Sequence, residues 1–531
     1  MNKILTAVWF LVLTVGIFAQ FSGGTGISGD PYLISNLSDL EYLSENDQYW
    51  DKHFLQTADI DAADTQNWNS GEGFSPIGNM GAYFEGNYDG NGKIISNLNI
   101  NRPYDYDVGF FGFTGLNSEI MDLGVINADI TGYSFVGGVA GTNRGSIKNT
   151  YVHASITCEE GGGVFAGDNW DGQIENSYSF GSISGDSEVA GFVAYNLGSV
   201  TNCYAFATGP IHGFISRNMN IITNCFWDTE ASGTDISDGG TGMTTAEMKT
   251  ETTFTNWDFS TEPVWVIKES VSYPYLSWQQ ENTEVTIVVS PFSSGNVNAA
   301  TGNYVAYMPI TLYAIPETGY YFVNWTESVT KQVISEDEKF EYYVTDEDIT
   351  ITANFEQIQL PVVATSDASL IGLTSATLGG EVTDDGGAEV SERGIVFSIV
   401  PDPVIGGQGV TKLESGSGTG LFSEEITDLD PDTEYYFRTY AINQAGTAYG
   451  DVKSFITDEL LPPTNIVVAF SGSDIILTWT EAQGATGYVV YSSTDPYGVF
   501  SVDETGNFEN STWTAPDPGR KMFYRVTSLC E

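Results

Sequence analysis

The hydrophobic and polar positions between residues 95 and 226 repeat with a period far longer than that of one helix or strand. In six segments a β-branched residue is followed two positions later by Asn or Asp, in steps of 25, 27, 27, 26 and 22 residues. In the last four segments an aromatic residue follows two positions further on. Because alternate residues of an extended strand share a face, the pattern predicts six stacked coils with these residues pointing inward. The six polar residues are Asn97, Asp122, Asn149, Asn176, Asn202 and Asn224.

A column of amides has a physical use in such a stack. Neighbouring parallel strands lie about 4.8 Å apart, so each amide can donate and accept a hydrogen bond along the column. Repeats of roughly 20 to 50 residues are typical of solenoids. We therefore predict a right-handed parallel β-helix in which the six polar residues form a buried structural ladder.

Glycine-rich segments lie between the polar positions of the repeat. Examples are Gly109-Phe-Phe-Gly112, Gly138-Val-Ala-Gly141 and Gly163-Val-Phe-Ala-Gly167, whereas the last two coils lack the closing glycine. We interpret these glycines as tight turns. Together with the Asn repeat, residues 83–233 resemble the GLUG-motif repeats of bacterial surface proteins, and the resemblance implies a surface-exposed β-helix.

The rest of the chain resembles other modules of bacterial surface proteins. Residues 29–43 resemble the cap that precedes such β-helices, and the alternation in residues 311–314 and 350–355 predicts strands in a stretch similar to internalin-type repeat domains. Two later stretches resemble fibronectin type III domains. In the first, the run Thr433-Glu-Tyr435-Tyr-Phe437 implies a tyrosine corner, in which the Tyr435 hydroxyl contacts nearby backbone.

The predicted fold class is therefore all-β. The first residues of the chain predict that the protein is exported. Lys3, the apolar run that follows it and a small residue before Gln20 are typical of a signal peptide. No later segment reaches the roughly 20 apolar residues of a membrane span. The predicted segments are the signal peptide 1–19, the β-helix cap 20–82, the GLUG-repeat β-helix with its C-terminal closure 83–280, the internalin-type repeat domain 283–356, and fibronectin type III-like domains 360–458 and 462–531, the second without a normal strand G.

Charge and cysteine content narrow the possible partners. The chain has 18 Lys and Arg against 70 Asp and Glu, a net charge of −52, which excludes nucleic acid and disfavours an anionic membrane surface. The four cysteines fit neither a disulfide framework nor a zinc motif. Cys203 and Cys225 each follow the Asn of their coil, so we expect them to be neighbours, and whether they are bonded stays open.

The β-helix is compatible with two functions, because a fold alone does not decide chemistry. A binding or adhesion protein needs a recognition surface, and the candidate sugar-stacking residues are Trp170, Trp227, Tyr104 and Tyr106, whose alternative is ordinary packing. A polysaccharide hydrolase needs two carboxylates. Glu159 and Asp186 are the candidate pair, because each lies ten residues after the Asn of its coil.

Solvated turns are the simplest explanation of these acidic residues, and of Asp168, Asp171 and Glu188 nearby. A weak calcium site is the alternative, and no cofactor is expected. A lyase would also need a cationic group, and the Lys and Arg residues of the repeat do not share a column. The sequence thus predicts a secreted or cell-surface binding or adhesion protein, not an enzyme, that contacts carbohydrate or a cell-surface protein ligand. A polysaccharide hydrolase or lyase is the alternative.

Overall fold

The computed structural model describes residues 21–530. Strands dominate these residues, so the all-β fold class is confirmed. The signal peptide predicted for residues 1–19 lies outside the described residues and stays a prediction, as do the domain boundaries. No helix within residues 21–530 is both long enough and apolar enough to cross a membrane.

The first part of the described chain is a parallel β-helix, as predicted, with three stacked parallel sheets. The large sheet contains Tyr32–Ile34, His53–Gln56, Ile60–Asp61, Asn87–Ser96, Asn99–Asn101, Glu119–Thr131, Ser146–Lys148, Tyr151–Thr157, Gln173–Glu175, Tyr178–Ser184, Ser199–Thr201, Tyr204–Thr208, Ile222–Thr223, Phe226–Asp228 and Thr241–Met243. The four-stranded sheet contains Tyr106–Val108, Ser134–Gly137, Glu160–Gly163 and Ser187–Ala190. The five-stranded sheet contains Phe111–Phe113, Ala140–Asn143, Ala166–Asn169, Val193–Asn196 and Ile215–Asn218.

Short helices precede and follow the stacked coils. The α-helix Leu37–Glu45 begins at Asn36, whose side chain accepts a hydrogen bond from the Asp39 backbone N–H at 3.1 Å. The remaining helical segments are the 3₁₀ segments Asp47–Tyr49, Ala63–Gly71 and Glu251–Thr253 and the one-turn α-helices Thr229–Ser232 and Thr245–Met248.

The interior of the β-helix is filled by aliphatic and aromatic columns. Ile147, Ile174 and Val200 lie in register on successive coils and are buried. Phe165, Phe192 and Phe214 form an aromatic column with ring centroids 4.7 and 4.8 Å apart. This interior supplies much of the apolar burial that stabilises the stack.

The predicted inward position of the repeated Asn residues is wrong. Asn149, Asn176 and Asn202 lie between strands at corners with φ of 46°, 47° and 53°, the left-handed conformation that Asn tolerates better than most residues. Because the backbone changes direction at this left-handed residue, the inward and outward alternation of side chains does not continue through the corner. As a result the preceding aliphatic residue points into the interior, while Tyr151 and Tyr178 two residues after the corner pack on the outside of the coils.

The outward tyrosines form a second aromatic column, with Tyr151 and Tyr178 centroids 5.1 Å apart and Tyr178 and Tyr204 centroids 4.9 Å apart. The segment from Met248 to Trp278, named here the closing segment, covers this column and includes the short strands Trp265–Val266 and Tyr275–Leu276. The column and the closing segment together bury a second apolar cluster.

Five of the six predicted ladder residues are connected by side-chain hydrogen bonds. Asn149 donates to Asp122 at 3.0 Å, and each later Asn donates to the one before it at 3.4, 3.2 and 3.1 Å, ending at Asn224. These side chains are only half-buried. Asn97 belongs to a different column, because it accepts from Asn127 at 2.6 Å and donates to Asp61.

A second amide ladder, absent from the sequence-based prediction, is fully buried at its first three residues and half-buried at its last, Asn218. Asn143 donates to Asn169 at 2.9 Å, Asn169 to Asn196 at 2.8 Å, and Asn196 to Asn218 at 2.8 Å. These residues end successive strands of the five-stranded sheet, at the same period as the half-buried ladder.

Most of the repeated glycines serve close packing and not tight turning. A side chain on Gly141 would place its Cβ 2.3 Å from the Asp107 backbone, and one on Gly167 would lie 2.3 Å from the Phe135 backbone. Neither glycine has a positive φ. Their role is therefore to let the four-stranded and five-stranded sheets approach each other.

Cys203 and Cys225 are in-register neighbours, because their flanking residues pair across adjacent coils. Both are buried and unbonded. Burial and the neighbouring thiol raise the pKa of Cys203 well above its usual range, so it is a protonated, inert core residue.

Antiparallel strands follow the β-helix, and the described chain divides into two compact units. The first contains the β-helix together with Val297–Ala314 and Trp325–Thr352, and the second contains the remaining described residues. Within the first unit residues 309–313 of the strand Pro309–Pro316 pair with Lys339–Tyr343. The other strands of this stretch are Glu281–Ser290, Gly295–Val297, Gly302–Val305, Tyr320–Glu327, Val333–Ser335 and Ile349–Gln357.

The second unit ends in two antiparallel sandwiches, as the fibronectin type III resemblance implied. The Asp430 backbone N–H donates to the Tyr435 hydroxyl at 2.9 Å, which confirms the tyrosine corner. The first sandwich has strands Val362–Thr365, Ala376–Asp384, Glu392–Ser398, Thr411–Glu414, Gly420–Ile426, Glu434–Asn443, Gly446–Tyr449 and Lys453–Ile456. The second has Thr464–Ser471, Asp474–Thr480, Gly487–Ser493, Ser501–Val502, Asn507–Glu509, Thr512–Pro516 and Phe523–Leu529.

Candidate functional site

The candidate site lies where the four-stranded and five-stranded sheets of the β-helix meet. Each strand of the four-stranded sheet has one residue with a positive φ, and these four residues are in register across the coils. They are Asp107, Phe135, Gly161 and Glu188. A left-handed residue inside a strand redirects the side chains around it, so the column breaks the smooth surface of the sheet.

A second column, on the five-stranded sheet, lies against the first. Its register partners are Phe113, Thr142, Asp168, Tyr195 and Arg217. The Thr142 hydroxyl donates to Asp107 at 2.6 Å, and Arg217 forms an ion pair with Glu188 at 2.5 Å. A Cβ on Gly161 would lie 2.8 Å from the Tyr195 ring. The two columns therefore meet side by side over four coils.

Aromatic side chains follow these columns along the coils. Tyr106 lies 5.0 Å from Tyr133 and 6.4 Å from Phe135, and Phe135 lies 5.8 Å from Tyr195, measured between ring centroids. We name these four residues the aromatic row. Tyr106 is 56% exposed and the other three are half-buried, so the row presents ring surface to solvent.

An open groove of about 570 Å³ adjoins the aromatic row. Tyr104, Tyr106 and Asp107 line it on the β-helix side, and Trp50 and Met80 line it from the preceding segments. Tyr104 is 87% exposed and Met80 is exposed as well. The groove is large enough for a small saccharide, and flat rings beside a polar floor suit sugar faces, which combine C–H surface with hydroxyl groups.

Two carboxyl groups in these columns are held in unusual surroundings. Asp168 is only 9% exposed, and its Oδ1 has no hydrogen-bond partner within residues 21–530. Burial first, and then the charges of Asp107 and Asp171, raise the pKa of Asp168 to about 7. Burial also raises the pKa of Asp107, against the opposing effect of its hydrogen bond from Thr142.

The arginines near the groove are neutralised by carboxylates. Arg102 pairs with Glu72 at 3.2 Å, Arg144 with Asp171 at 3.2 Å, and Arg217 with Glu188. Because these cations are already paired, the acidic groups dominate the local charge, and the site disfavours an anionic ligand. No group of three or more potential metal-ligating side chains occurs within residues 21–530.

The four aromatic residues that the sequence predicts as sugar-stacking residues lie in different surroundings in the structure. Tyr104 and Tyr106 line the groove, and Trp170 is 45% exposed with the Arg144 guanidinium 5.4 Å from its ring centroid. Trp227 is 6% exposed and packs into the β-helix interior. Its nomination as an exposed ligand-binding residue is therefore wrong, because it points inward from the strand Phe226–Asp228.

Glu159 and Asp186 are in-register neighbours, since the Asp186 backbone N–H donates to the Glu159 carbonyl at 2.9 Å. Both side chains are exposed. The sequence analysis did not nominate Asp107, Tyr133, Phe135 or Tyr195. The positive-φ column could have been found from its spacing, because Asp107, Phe135, Gly161 and Glu188 follow one another at 28, 26 and 27 residues.

Comparisons with known proteins match parts of the chain. The family described as "Divergent InlB B-repeat domain" matches residues 285–359, so an internalin-type repeat module is present. That match does not include the β-helix, and its GLUG assignment stays a prediction. The chain is 36% identical over 169 residues, 32% of its length, to "Halomucin" of Haloquadratum walsbyi, and 34% identical over 139 residues, 25% of its length, to "Putative Gly-rich membrane protein" of Evansella cellulosilytica.

These matches span only 2% and 15% of the two relatives. Among solved structures, the sensor domain of the anti-sigma factor RsgI4 of Pseudobacteroides cellulosolvens is similar at 21% identity, over 20% of this chain and 100% of that one, with a TM-score of 0.16. The FN1–FN3 domains of chicken CNTN1 are similar at 11% identity, over 47% and 93% of the two chains, with a TM-score of 0.18.

Proposed function

We propose that this protein binds carbohydrate at a cell surface through the groove and aromatic row of its β-helix, with the later β-domains as spacers. The observation that carries the proposal is the row of partly exposed rings beside the groove, with Tyr106 common to both. Stacking on sugar faces needs such rings. The predicted signal peptide and the similarity to a protein described as a putative Gly-rich membrane protein support a secreted or surface location.

Binding without hydrolysis is part of the proposal. Catalysis by the pair nominated from the sequence would require groups held in a defined geometry around a scissile bond. Glu159 and Asp186 are instead exposed turn residues. A cell-surface protein ligand is the alternative occupant of the same surface.

A glycan panel tests this proposal with the full chain. The panel is scored for retention of the protein and for release of reducing ends or unsaturated products. We expect retention of at least one polysaccharide without release, and Tyr106→Ala should abolish most of that retention. Absence of retention on every glycan would contradict carbohydrate binding, and release that disappears in Glu159→Gln or Asp186→Asn would contradict the non-enzymatic role.

A further inference from the structure

Exposed carboxylates lie beside the aromatic row on successive coils. The Tyr133 backbone N–H donates to the Asp105 carbonyl at 2.8 Å, and the Glu159 N–H donates to the Tyr133 carbonyl at 3.0 Å. The Asp186 N–H donates in turn to the Glu159 carbonyl at 2.9 Å. Glu160 follows Glu159 and begins a strand of the four-stranded sheet. Glu159, Glu160 and Asp186 are exposed, and we name these three residues the acidic strip.

The acidic strip lies close enough to the aromatic row to change the acidity of its hydroxyl groups. The charge of Glu159 raises the pKa of Tyr133, and Tyr106, burial and Glu160 act in the same direction. Burial, and then nearby carboxylates that include Glu160, raise the pKa of Tyr195. Exposed charges act strongly only over short distances, so the carboxylates and the rings belong to one surface.

The cations on this side of the β-helix leave the acidic strip uncompensated. Arg217 is paired with Glu188, and Arg102 is paired with Glu72. No ion pair within residues 21–530 includes a member of the acidic strip. A ligand that brings its own cations would therefore supply the charges that this surface lacks.

The acidic character continues into the open groove at the end of the aromatic row. Asp105, 57% exposed, and Asp107 line the groove together with Tyr106. The Asp107 side chain is nine-tenths buried, and its Oδ1 accepts the hydrogen bond from Thr142. Its Oδ2 has no hydrogen-bond partner among the described residues. Because buried polar atoms are nearly always hydrogen-bonded, this oxygen favours a ligand that donates hydrogen bonds in the groove.

We propose that the groove and the aromatic row bind a cationic amino-sugar polymer, whose ring faces pack on the aromatic row and whose ammonium groups lie against the acidic strip. This assignment rests on the proposed carbohydrate binding. Successive coils lie about 4.8 Å apart, so an extended chain along the coil axis passes from the groove and Tyr106 over Tyr133 to Glu159 and Asp186. An ammonium group over an exposed ring face also gains a cation–π interaction. The net charge of −52 attracts such a polymer at long range.

Three hexasaccharides with the same β-1,4 linkage test the assignment, because they differ only at carbon 2 of each ring. The glucosamine hexamer carries ammonium groups there, chitohexaose carries N-acetyl groups, and cellohexaose carries hydroxyl groups. Hexalysine is the probe for charge without sugar. Isothermal titration calorimetry with the full-length protein measures each affinity at low and at high salt.

The variant for the acidic strip is Glu159→Gln/Glu160→Gln, which removes two charges and keeps the size of both side chains. Its matched control is Asp129→Asn/Glu336→Gln, which changes the net charge equally at two exposed positions outside the strip. Asp129 lies on a strand of the large sheet, and Glu336 lies in the internalin-type repeat module. Thermal melts establish that each variant is folded.

We expect the glucosamine hexamer to bind roughly tenfold more tightly than cellohexaose or chitohexaose at low salt, because several exposed ion pairs contribute. High salt should remove most of this advantage and leave the affinity for cellohexaose unchanged. The Glu159→Gln/Glu160→Gln variant should bind the glucosamine hexamer roughly fivefold more weakly, and the matched control should equal the unchanged protein.

Three results would overturn the assignment. They are binding of cellohexaose as tight as that of the glucosamine hexamer, unchanged affinity for the glucosamine hexamer in Glu159→Gln/Glu160→Gln, and an equal loss in the matched control. Hexalysine binding as tight as that of the glucosamine hexamer would overturn it in favour of a basic peptide. If uncharged probes bind and lose affinity in Tyr106→Ala, but the glucosamine hexamer binds no better, only the amino-sugar assignment fails. If no hexasaccharide binds to the unchanged protein, the proposed function fails with it.

Discussion

At the scale of single residues, the two amide ladders of the β-helix differ in burial and therefore in energetic weight. Asn169 is fully buried and bonded to Asn143 and Asn196 at 2.9 and 2.8 Å, whereas Asn176 is half-buried and its bond to Asn149 is 3.4 Å long. Loss of one amide from a buried column leaves neighbouring donors or acceptors unsatisfied, and water cannot replace them easily.

We predict that Asn169→Leu lowers the free energy of unfolding by about 3 kcal/mol and Asn176→Leu by about 1 kcal/mol. Urea denaturation, followed by tryptophan fluorescence, measures both. Equal losses in the two variants, or a larger loss at Asn176, would contradict the assignment of the buried column as the stronger ladder.

The Asp168 carboxyl makes stability depend on pH. Its pKa of about 7 in the folded protein lies above that of an unfolded Asp, so the unfolded chain releases the proton first. The contribution to stability is present at pH 4 and is lost as the pH rises towards 7. We predict that Asp168→Asn is more stable than the unchanged protein at pH 8, by on the order of 3 kcal/mol, and about equally stable at pH 4. Thermal melts at both pH values, with Asp129→Asn as the control, check this, and a constant difference between the two pH values would refute it.

At the scale of elements, the closing segment holds the outer tyrosine column in place. The Lys249 ammonium, 2% exposed, forms an ion pair with Glu341 and donates to the Thr311 hydroxyl at 2.6 Å. It also lies 4.7 Å from the Tyr273 ring centroid. Both acceptors belong to the antiparallel strand pair Pro309–Pro316 and Lys339–Tyr343, so the buried Lys249 ammonium connects the closing segment to that strand pair.

We predict that Lys249→Met destabilises the first unit by about 2 kcal/mol. The variant leaves Glu341 without its cation, but Glu341 is partly exposed and can be hydrated, so the loss is smaller than for a fully buried pair. Adding Glu341→Gln should recover part of the loss in urea denaturation. A double variant less stable than Lys249→Met alone would show that the pair is not the cause.

The sequence predicts the stacked coils because the inward aliphatic residues at 120, 147, 174 and 200 repeat with the coil period. It does not predict the direction of the side chains after Asn149, because period-two alternation assumes extended backbone and the corner residue is left-handed. The positions of Asp107 and Asp168 depend on how two sheets meet, and the two residues are separated by 61 positions with no shared local motif. The sequence also gives the wrong exposure for Trp227, because the residue type alone does not show whether its side chain points into the β-helix or out of it.

At the scale of the whole molecule, the net charge of −52 keeps the chain soluble and repels anionic surfaces at long range. The groove adds partly exposed aromatic rings to this acidic surface. Recognition of uncharged carbohydrate there should therefore depend little on ionic strength, because no cation of the site is free to attract a ligand charge. The proposed function requires binding on the β-helix and not on the later β-domains.

The most direct test of that placement compares tyrosines on the two parts of the chain. Surface plasmon resonance measures the binding of one retained oligosaccharide to the full-length protein, to Tyr106→Ala/Tyr133→Ala, and to Tyr497→Ala, which removes a ring that is 96% exposed in the last sandwich. Binding on the β-helix predicts roughly tenfold weaker binding for the first variant and unchanged binding for the second. Unchanged binding in Tyr106→Ala/Tyr133→Ala, or a loss in Tyr497→Ala, would contradict it.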